Sequence, residues 1–129
     1  MSQEQTAPAF PTLQGHNFVN LTTFRKTGKA VVTPVWFAQE NGRVYVYTGA
    51  ETGKAKRIRN NPQVQLTPST RTGEPLGPSV DAVARILSQE EEPGAKRTLD
   101  QKYGWQKKLF DLFLKLRKFR HVYLEITPA

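Results

Sequence analysis

The sequence predicts a mainly β protein: a small antiparallel barrel of six strands with helices packed on it. Six short runs rich in β-branched and aromatic residues are mostly joined by tight turns, and helical patterns come only late in the chain. With 129 residues and 37% hydrophobic content, the chain can build one hydrophobic core but is short for two domains. We therefore expect a flexible N-terminal arm over residues 1–16 and a single domain over residues 17–129.

The first three strands are predicted by composition and by the turns between them. They cover residues 17–24, 30–38 and 43–48, and Asn41-Gly42 before the third is a strong hairpin signal. The later strands, over residues 63–69, 79–87 and 121–126, alternate apolar with polar positions. Alternation gives each strand one inward face, and it predicts a core that includes Val44, Val46, Val80, Ala82, Ala84, Ile86, Val122, Leu124 and Ile126.

Two helices are predicted between the fifth and sixth strands. Ala95, Leu99 and Tyr103 recur at helical spacing, and Gly104 suits the position just after a helix end. Residues 107–118 form a second, amphipathic pattern. We expect the apolar face of this second helix to pack on the barrel and not to bind a membrane.

The charge of the chain restricts its partners without choosing among them. The formal net charge of +8 attracts anions such as nucleic acid, an acidic membrane surface or a phosphorylated small molecule. The chain has no cysteine, which excludes disulfides, thiolate metal sites and cysteine nucleophiles. Residues 1–11 do not resemble a signal peptide, and no apolar run reaches the roughly 18 residues of a membrane span. We expect a cytoplasmic protein.

A stretch after the third strand combines a glycine turn, a short helix and a basic cluster. Thr52 is a suitable N-cap, and Pro62 ends the helix because its ring disfavours α geometry in the preceding residue. The free N–H groups at a helix start suit an anion, and Lys54, Lys56 and Arg57 add positive charge within about one turn. The pattern predicts a phosphate seat, although a solvated basic surface helix would produce the same pattern.

The sequence gives little indication of a metal site or of catalytic side chains. Neither His16 nor His121 has a further metal ligand at the usual spacing, so no metal site is predicted, and His121 is expected to be structural. The acidic run over residues 89–92 is assigned only to solvation. No motif identifies a catalytic residue, which suggests that a bound cofactor carries out any difficult chemical step.

Pro34 interrupts the second predicted strand. Because proline lacks the N–H that a sheet ladder needs, it marks an edge strand, a bulge or a point where pairing is broken. Broken pairing would leave neighbouring backbone groups free to bond a ligand, whereas an ordinary edge strand would have no such consequence.

Several short segments, taken in order, carry a family resemblance. They are Asn20-Leu21-Thr22-Thr23-Phe24, Thr33-Pro34-Val35-Trp36-Phe37, Tyr45-Val46-Tyr47-Thr48-Gly49 with Gly53-Lys54 and Lys56-Arg57, Pro75-Leu76-Gly77-Pro78, and Lys102-Tyr103-Gly104-Trp105. Over residues 17–128 the chain resembles the pyridoxamine 5'-phosphate oxidase-like, FMN-binding split-barrel flavoproteins. It is most similar to their small branch that depends on the deazaflavin coenzyme F-420.

The resemblance implies a six-stranded antiparallel split barrel, a homodimer, and a cofactor in the groove between subunits. It implies that the cofactor phosphate is held by Thr52, Gly53, Lys54, Lys56 and Arg57. It implies that the ring system is lined by Thr33, Pro34, Val35 and Trp36, with Thr48 near the ribityl chain. The C-terminal substrate-binding arginine pattern of pyridoxamine phosphate oxidase itself is absent, which argues against vitamin B6 chemistry.

These expectations lead to an oxidoreductase that transfers a hydride between bound FMN or coenzyme F-420 and a small substrate. The sequence leaves open the choice of cofactor, the substrate, the direction of transfer and the source of the proton, for which Tyr45, Tyr47 and water are candidates. One alternative is a flavin carrier without turnover. Another is a basic β-barrel that binds nucleic acid, which a steep salt dependence of binding would reveal. We expect neither nucleic acid nor a membrane as a partner.

Overall fold

The computed structural model describes residues 10–104 and 121–129. The predicted helix over residues 107–118 and the first nine residues lie outside this range. The described residues form seven strands: β1 (Phe18–Phe24), β2 (Ala30–Trp36), β3 (Ala38–Glu40), β4 (Arg43–Gly49), β5 (Gln63–Ser69), β6 (Val80–Ile86) and β7 (His121–Pro128). Two α-helices, α1 (Gly53–Asn60) and α2 (Glu92–Tyr103), and a short 3-10 helix (Pro11–Leu13) complete the described elements.

The strands form one antiparallel sheet in the order β2-β1-β5-β6-β7-β4-β3. Strands from both halves of this order contribute to the same hydrophobic core, as expected of a sheet curled into a split barrel. The predicted mainly β fold is confirmed. The count is seven and not six because the predicted second strand divides at Phe37, which lies between β2 and β3.

The alternation in the later strands places one face of each in the core, as predicted. Seven of the nine predicted core residues are buried, and the other two, Val80 and Ile86, are half-buried against the same cluster. Val44 pairs with Ile126 and Val46 with Leu124 across β4 and β7, and all four side chains are fully buried. These cross-strand pairs fix the register because a slip of one residue would expose them.

Helix α2 covers a second, smaller cluster outside the barrel. Ala95, Leu99 and Tyr103 are buried there, and the helix ends at Gly104, whose φ of 56° favours glycine. The predicted helix is therefore confirmed, with its first residue at Glu92. No helix in the described part of the chain is long and apolar enough to span a membrane.

The segment before β1 is attached to the sheet. Phe10 and Leu13 are buried in the main core. The Gln39 side chain accepts from Phe10 N at 3.4 Å and donates to Phe10 O at 3.2 Å. Residues 10–13 belong to the region for which the sequence predicts an arm, yet their apolar side chains are packed into the barrel.

The acidic loop before α2 takes part in an ion-pair network. Glu91 receives two bonds from the Arg85 guanidinium, the shorter at 2.7 Å, and Arg85 also contacts Glu125 at 3.0 Å. The prediction of solvation alone is wrong for Glu91, because Arg85 comes from a different element and its proximity is not visible in the local sequence.

This ion pair predicts a pH effect on stability. The bonds from Arg85, followed by those from Ser88, lower the pKa of Glu91 from 4.5 to about 2. A depressed carboxylate pKa contributes stability that is complete above pH 4.5 and is lost as the pH falls toward 2. We therefore expect Glu91→Gln to lower the free energy of unfolding at pH 7 but hardly at pH 2. Urea unfolding at both pH values measures this, with Glu90→Gln as the control; a deficit independent of pH would contradict it.

Candidate functional site

A cavity of about 530 Å³ opens beside the ends of β2 and β4. Six of the ten residues predicted to bind a cofactor line it: Pro34, Val35, Trp36, Thr48, Thr52 and Lys54. The other described residues that line it are ones for which no cofactor contact was predicted: Phe18, Tyr47, Gly49, Arg71, Leu99, Tyr103 and His121. The fold thus brings the predicted ring-binding strand and the predicted phosphate seat to one cavity.

Four predicted residues do not line the cavity. Thr33 is half-buried in β2, and Lys56 is exposed on α1. Gly53 lies between Thr52 and Lys54 in the first turn of α1, and the Arg57 side chain folds back against Gly53 from the following turn.

The start of α1 has the predicted capped geometry. The Thr52 hydroxyl accepts from Ala55 N at 3.4 Å and donates to Gly49 O at 2.8 Å. This cap satisfies one first-turn N–H group, while those of Gly53 and Lys54 have no acceptor within the helix. They carry the positive end of the helix dipole beside the cavity, which favours an anion there.

Arg57 folds back over the helix start. Its Nε donates to the buried Thr23 hydroxyl at 2.6 Å. A Cβ added at Gly53 would lie 2.7 Å from Arg57 Nη1, so the absence of a side chain at Gly53 makes room for the guanidinium. The pKa of Lys54 is lowered, first by burial and then by the charge of Arg57. A bound anion would offset the repulsion between these two cations.

Pro34 lies on an edge strand. Among the described residues β2 pairs only with β1, and the register is continuous from Ala30 opposite Phe24 to Trp36 opposite Phe18. Of the predicted possibilities the edge strand is therefore correct. Pro34 nevertheless lines the cavity, since this edge forms part of its rim.

Two groups of aromatic rings line the cavity. In the first group Trp36 stacks on Tyr103 with ring centroids 4.9 Å apart, and Phe18 meets Trp36 edge-on at 5.8 Å. In the second group Tyr47 stacks on His121 with ring centroids 4.9 Å apart. Flat apolar walls of this kind suit a planar, conjugated ring system.

The last turn of α2 fixes the wall that carries Trp36. The Tyr103 hydroxyl accepts from Phe37 N at 3.1 Å and can donate to Asn17 O at 2.8 Å or to Phe37 O. Lys102 Nζ donates to Phe37 O at 2.8 Å and to His16 O at 2.7 Å. Burial raises the pKa of Tyr103, so its hydroxyl stays neutral and serves this connection.

Removing that hydroxyl should measurably destabilise the fold. We expect Tyr103→Phe to lower the free energy of unfolding by about 1–3 kcal/mol, because buried backbone groups at Phe37 and Asn17 lose a partner while the ring remains. Urea unfolding followed by circular dichroism measures the loss. Tyr45→Phe, at a half-buried position on β4, is the control, and an equal loss there would argue against the special role of the Tyr103 bonds.

The sequence predicted the secondary structure of some of the residues that line the cavity, but gave no indication of others. Tyr103 was predicted as a helix residue, and Phe18 as part of a strand, but neither pattern indicates a cavity. Arg71 is in a glycine- and proline-rich loop without any motif. Of the candidate proton sources, Tyr47 lines the cavity and Tyr45 does not. Among the described residues, no group of three or more His, Asp or Glu side chains could hold a metal ion.

Comparison with known proteins agrees with this architecture. Residues 6–129 match the family model described as pyridoxamine 5'-phosphate oxidase. No match was found among curated protein sequences.

Solved structures share the fold at low sequence identity. HutZ, the heme storage protein from Vibrio cholerae, superposes with a TM-score of 0.67 at 19% identity, covering 92% of this chain and 86% of that one. An FAD-binding protein from Mesorhizobium loti gives 0.63 at 19% identity, covering 92% and 84%. General Stress Protein 26 from Bacillus anthracis gives 0.60 at 22% identity, covering 99% and 90%.

Proposed function

The chain belongs to the pyridoxamine 5'-phosphate oxidase family, and on that premise we propose that it is an oxidoreductase that transfers a hydride between a bound FMN or coenzyme F-420 and a small substrate. The observation that carries this proposal is that aromatic rings and an anion-favouring helix start line the same cavity. A cofactor with a planar ring and a phosphate needs both features at once. The description of the Mesorhizobium loti protein as FAD-binding supports a flavin-type cofactor.

The residues present fit such a cofactor. Lys54 and the N–H groups of Gly53 and Lys54 would hold its phosphate, with Arg57 close beside them. Val35, Trp36 and Tyr47 would line its ring system. The flavin supplies the hydride chemistry when bound, and the protein orients it and excludes water. Tyr103 is not proposed as a proton donor, because its hydroxyl is engaged by Phe37 and Asn17.

We further propose a homodimer with the cofactor groove between subunits. The described surface exposes two large apolar side chains strongly, Val32 at 55% and Leu76 at 52%, and a second subunit would cover such groups. We expect an interface of more than roughly 1,000 Å². Sedimentation equilibrium at micromolar concentration should show a dimer; a monomer alone would refute the shared groove.

Heme is a second candidate occupant of the same cavity. His121 lines the wall, imidazole is a common axial ligand of heme iron, and HutZ is described as a heme storage protein. A non-catalytic flavin carrier is a third candidate, since it needs the same cavity but no turnover.

Absorbance spectroscopy separates these candidates. The purified protein is titrated in parallel with FMN, coenzyme F-420 and hemin. We expect saturable binding and spectral perturbation with FMN or F-420. A Soret shift with hemin that is lost in His121→Ala, together with no flavin binding, would instead establish the heme candidate. Turnover is tested by reducing the bound flavin and following its reoxidation by candidate acceptors, and a carrier would show none.

A further inference from the structure

Two cations reach the cavity, and neither has a carboxylate partner in the described part of the chain. Lys54 and Arg71 both line it. Among the described residues neither forms an ion pair, whereas Arg43, Arg85 and Lys96 all do. A cavity with cationic walls and no internal counter-charge favours an anionic ligand.

The two cations come from different parts of the fold. Lys54 lies in the first turn of α1, directly after β4, where the proposed phosphate seat is. Arg71 follows β5, whose last residue, Ser69, is opposite Phe18, and Phe18 is opposite Trp36. Arg71 therefore enters the cavity beside the Phe18–Trp36 wall, while the helix dipole acts only at α1. This arrangement leaves Arg71 available for a second anionic group.

The turn that carries Arg71 is held in place by hydrogen bonds. Thr70 N donates to Glu74 O at 2.9 Å, and Gly73 N donates to Thr70 O at 3.0 Å. The buried Asn20 side chain on β1 donates from Nδ2 to Gly73 O at 2.8 Å. These bonds fix the backbone from which the exposed Arg71 side chain reaches the cavity, so less of the turn has to be ordered when a carboxylate binds.

We propose that Arg71 binds the carboxylate of the substrate, and that the substrate class is a planar, conjugated carboxylic acid whose hydrocarbon part packs on the Phe18–Trp36 wall. A guanidinium matches a carboxylate with two parallel hydrogen bonds, and the adjoining rings favour a flat unsaturated group. This inference rests on the proposed flavin-dependent function, because it assigns the helix start to the cofactor and Arg71 to the second ligand.

The test is a binding titration of the FMN-loaded protein with trans-cinnamate, in which the change in flavin absorbance reports binding. Loss of charge-assisted bonds of this type weakens binding by about ten- to one-hundredfold, and we expect Arg71→Gln to raise the Kd for cinnamate by that factor. The Kd for FMN should change less than twofold. Arg97→Gln removes an exposed arginine on α2 that does not line the cavity and should leave both constants unchanged. Cinnamyl alcohol, which lacks the charge, should bind wild type and Arg71→Gln equally.

The possible outcomes are distinct. Equal cinnamate affinity in wild type and Arg71→Gln, including no binding to either, overturns the inference. A parallel loss of FMN affinity in Arg71→Gln also overturns it, because Arg71 would then belong to the cofactor seat. If wild type binds no FMN, the proposed function fails, and equilibrium dialysis of cinnamate against the unloaded protein decides the inference. Cinnamate binding that depends on Arg71 supports it, and binding that does not depend on Arg71 overturns it.

Discussion

Replacing Lys54 and Arg57 together by alanine is expected to weaken binding of FMN or coenzyme F-420 by roughly two to four powers of ten. Each change removes a charge-assisted donor worth about 1.5–3 kcal/mol, and each 1.4 kcal/mol corresponds to about tenfold in affinity. Lys54 lines the cavity, and Arg57 folds over the same helix start. Fluorescence titration of the purified variant with each cofactor measures the effect.

The matched control removes the same charge from the other face of the same helix. Lys56 and Arg59 are exposed and do not line the cavity. If the seat is local, Lys56→Ala with Arg59→Ala should leave cofactor affinity within about threefold, because only the screened long-range field changes. Equal losses in the two double variants would show that net charge, and not the geometry at Thr52, governs binding. This control also tests the predicted phosphate contact of Lys56.

The two changes in the first variant differ in their effect on folding. Arg57 Nε donates to the Thr23 hydroxyl, which is fully buried, so Arg57→Ala should cost about 1–3 kcal/mol of stability. Lys54 has no such partner among the described residues, and Lys54→Ala should cost little. Measuring unfolding without cofactor separates these contributions from loss of affinity.

The strands were predictable because their signals are local. In β4, β6 and β7 the inward face follows from alternation within each strand, and the Asn41-Gly42 turn fixes the hairpin between β3 and β4. The capped start of α1 was predictable for the same reason, since Thr52 needs only its own helix as a partner. Each of these features depends on residues only a few positions apart.

The rest of the cavity depends on contacts between distant residues. Arg71 becomes a wall residue only because β5 pairs with β1, and β1 with β2. Tyr103 joins residues 17 and 37 through its hydroxyl, across separations of 86 and 66 positions. The division of the predicted second strand at Phe37 has the same origin, since the residues of α2 that hold its backbone lie far along the chain. No pattern within a single element contains this information.

Phe37 is where these distant contacts meet, and Phe37→Ala is expected to lower the free energy of unfolding by about 3–5 kcal/mol. Its side chain is 1% exposed and is the largest of the fully buried side chains in the described part of the chain. The Lys102 ammonium also lies over the Phe37 ring, 3.9 Å from the ring centroid. The backbone on both sides is held by Tyr103 and Lys102, so the surrounding residues cannot collapse into the space that the ring vacates. Urea unfolding followed by circular dichroism measures the loss.

Two further variants test whether the void left by the Phe37 ring explains the loss of stability. Phe37→Leu keeps most of the buried volume and should cost less than about 1.5 kcal/mol. Phe24→Ala makes the same chemical change at the half-buried end of β1 and should cost less than half as much as Phe37→Ala, because the transfer and cavity contributions both scale with burial. If Phe24→Ala proved equally damaging, the loss would reflect phenylalanine removal in general. If Phe37→Ala cost under about 1 kcal/mol, this junction would not be rigid, and the Trp36 wall would have to be held in place by contacts other than those of α2.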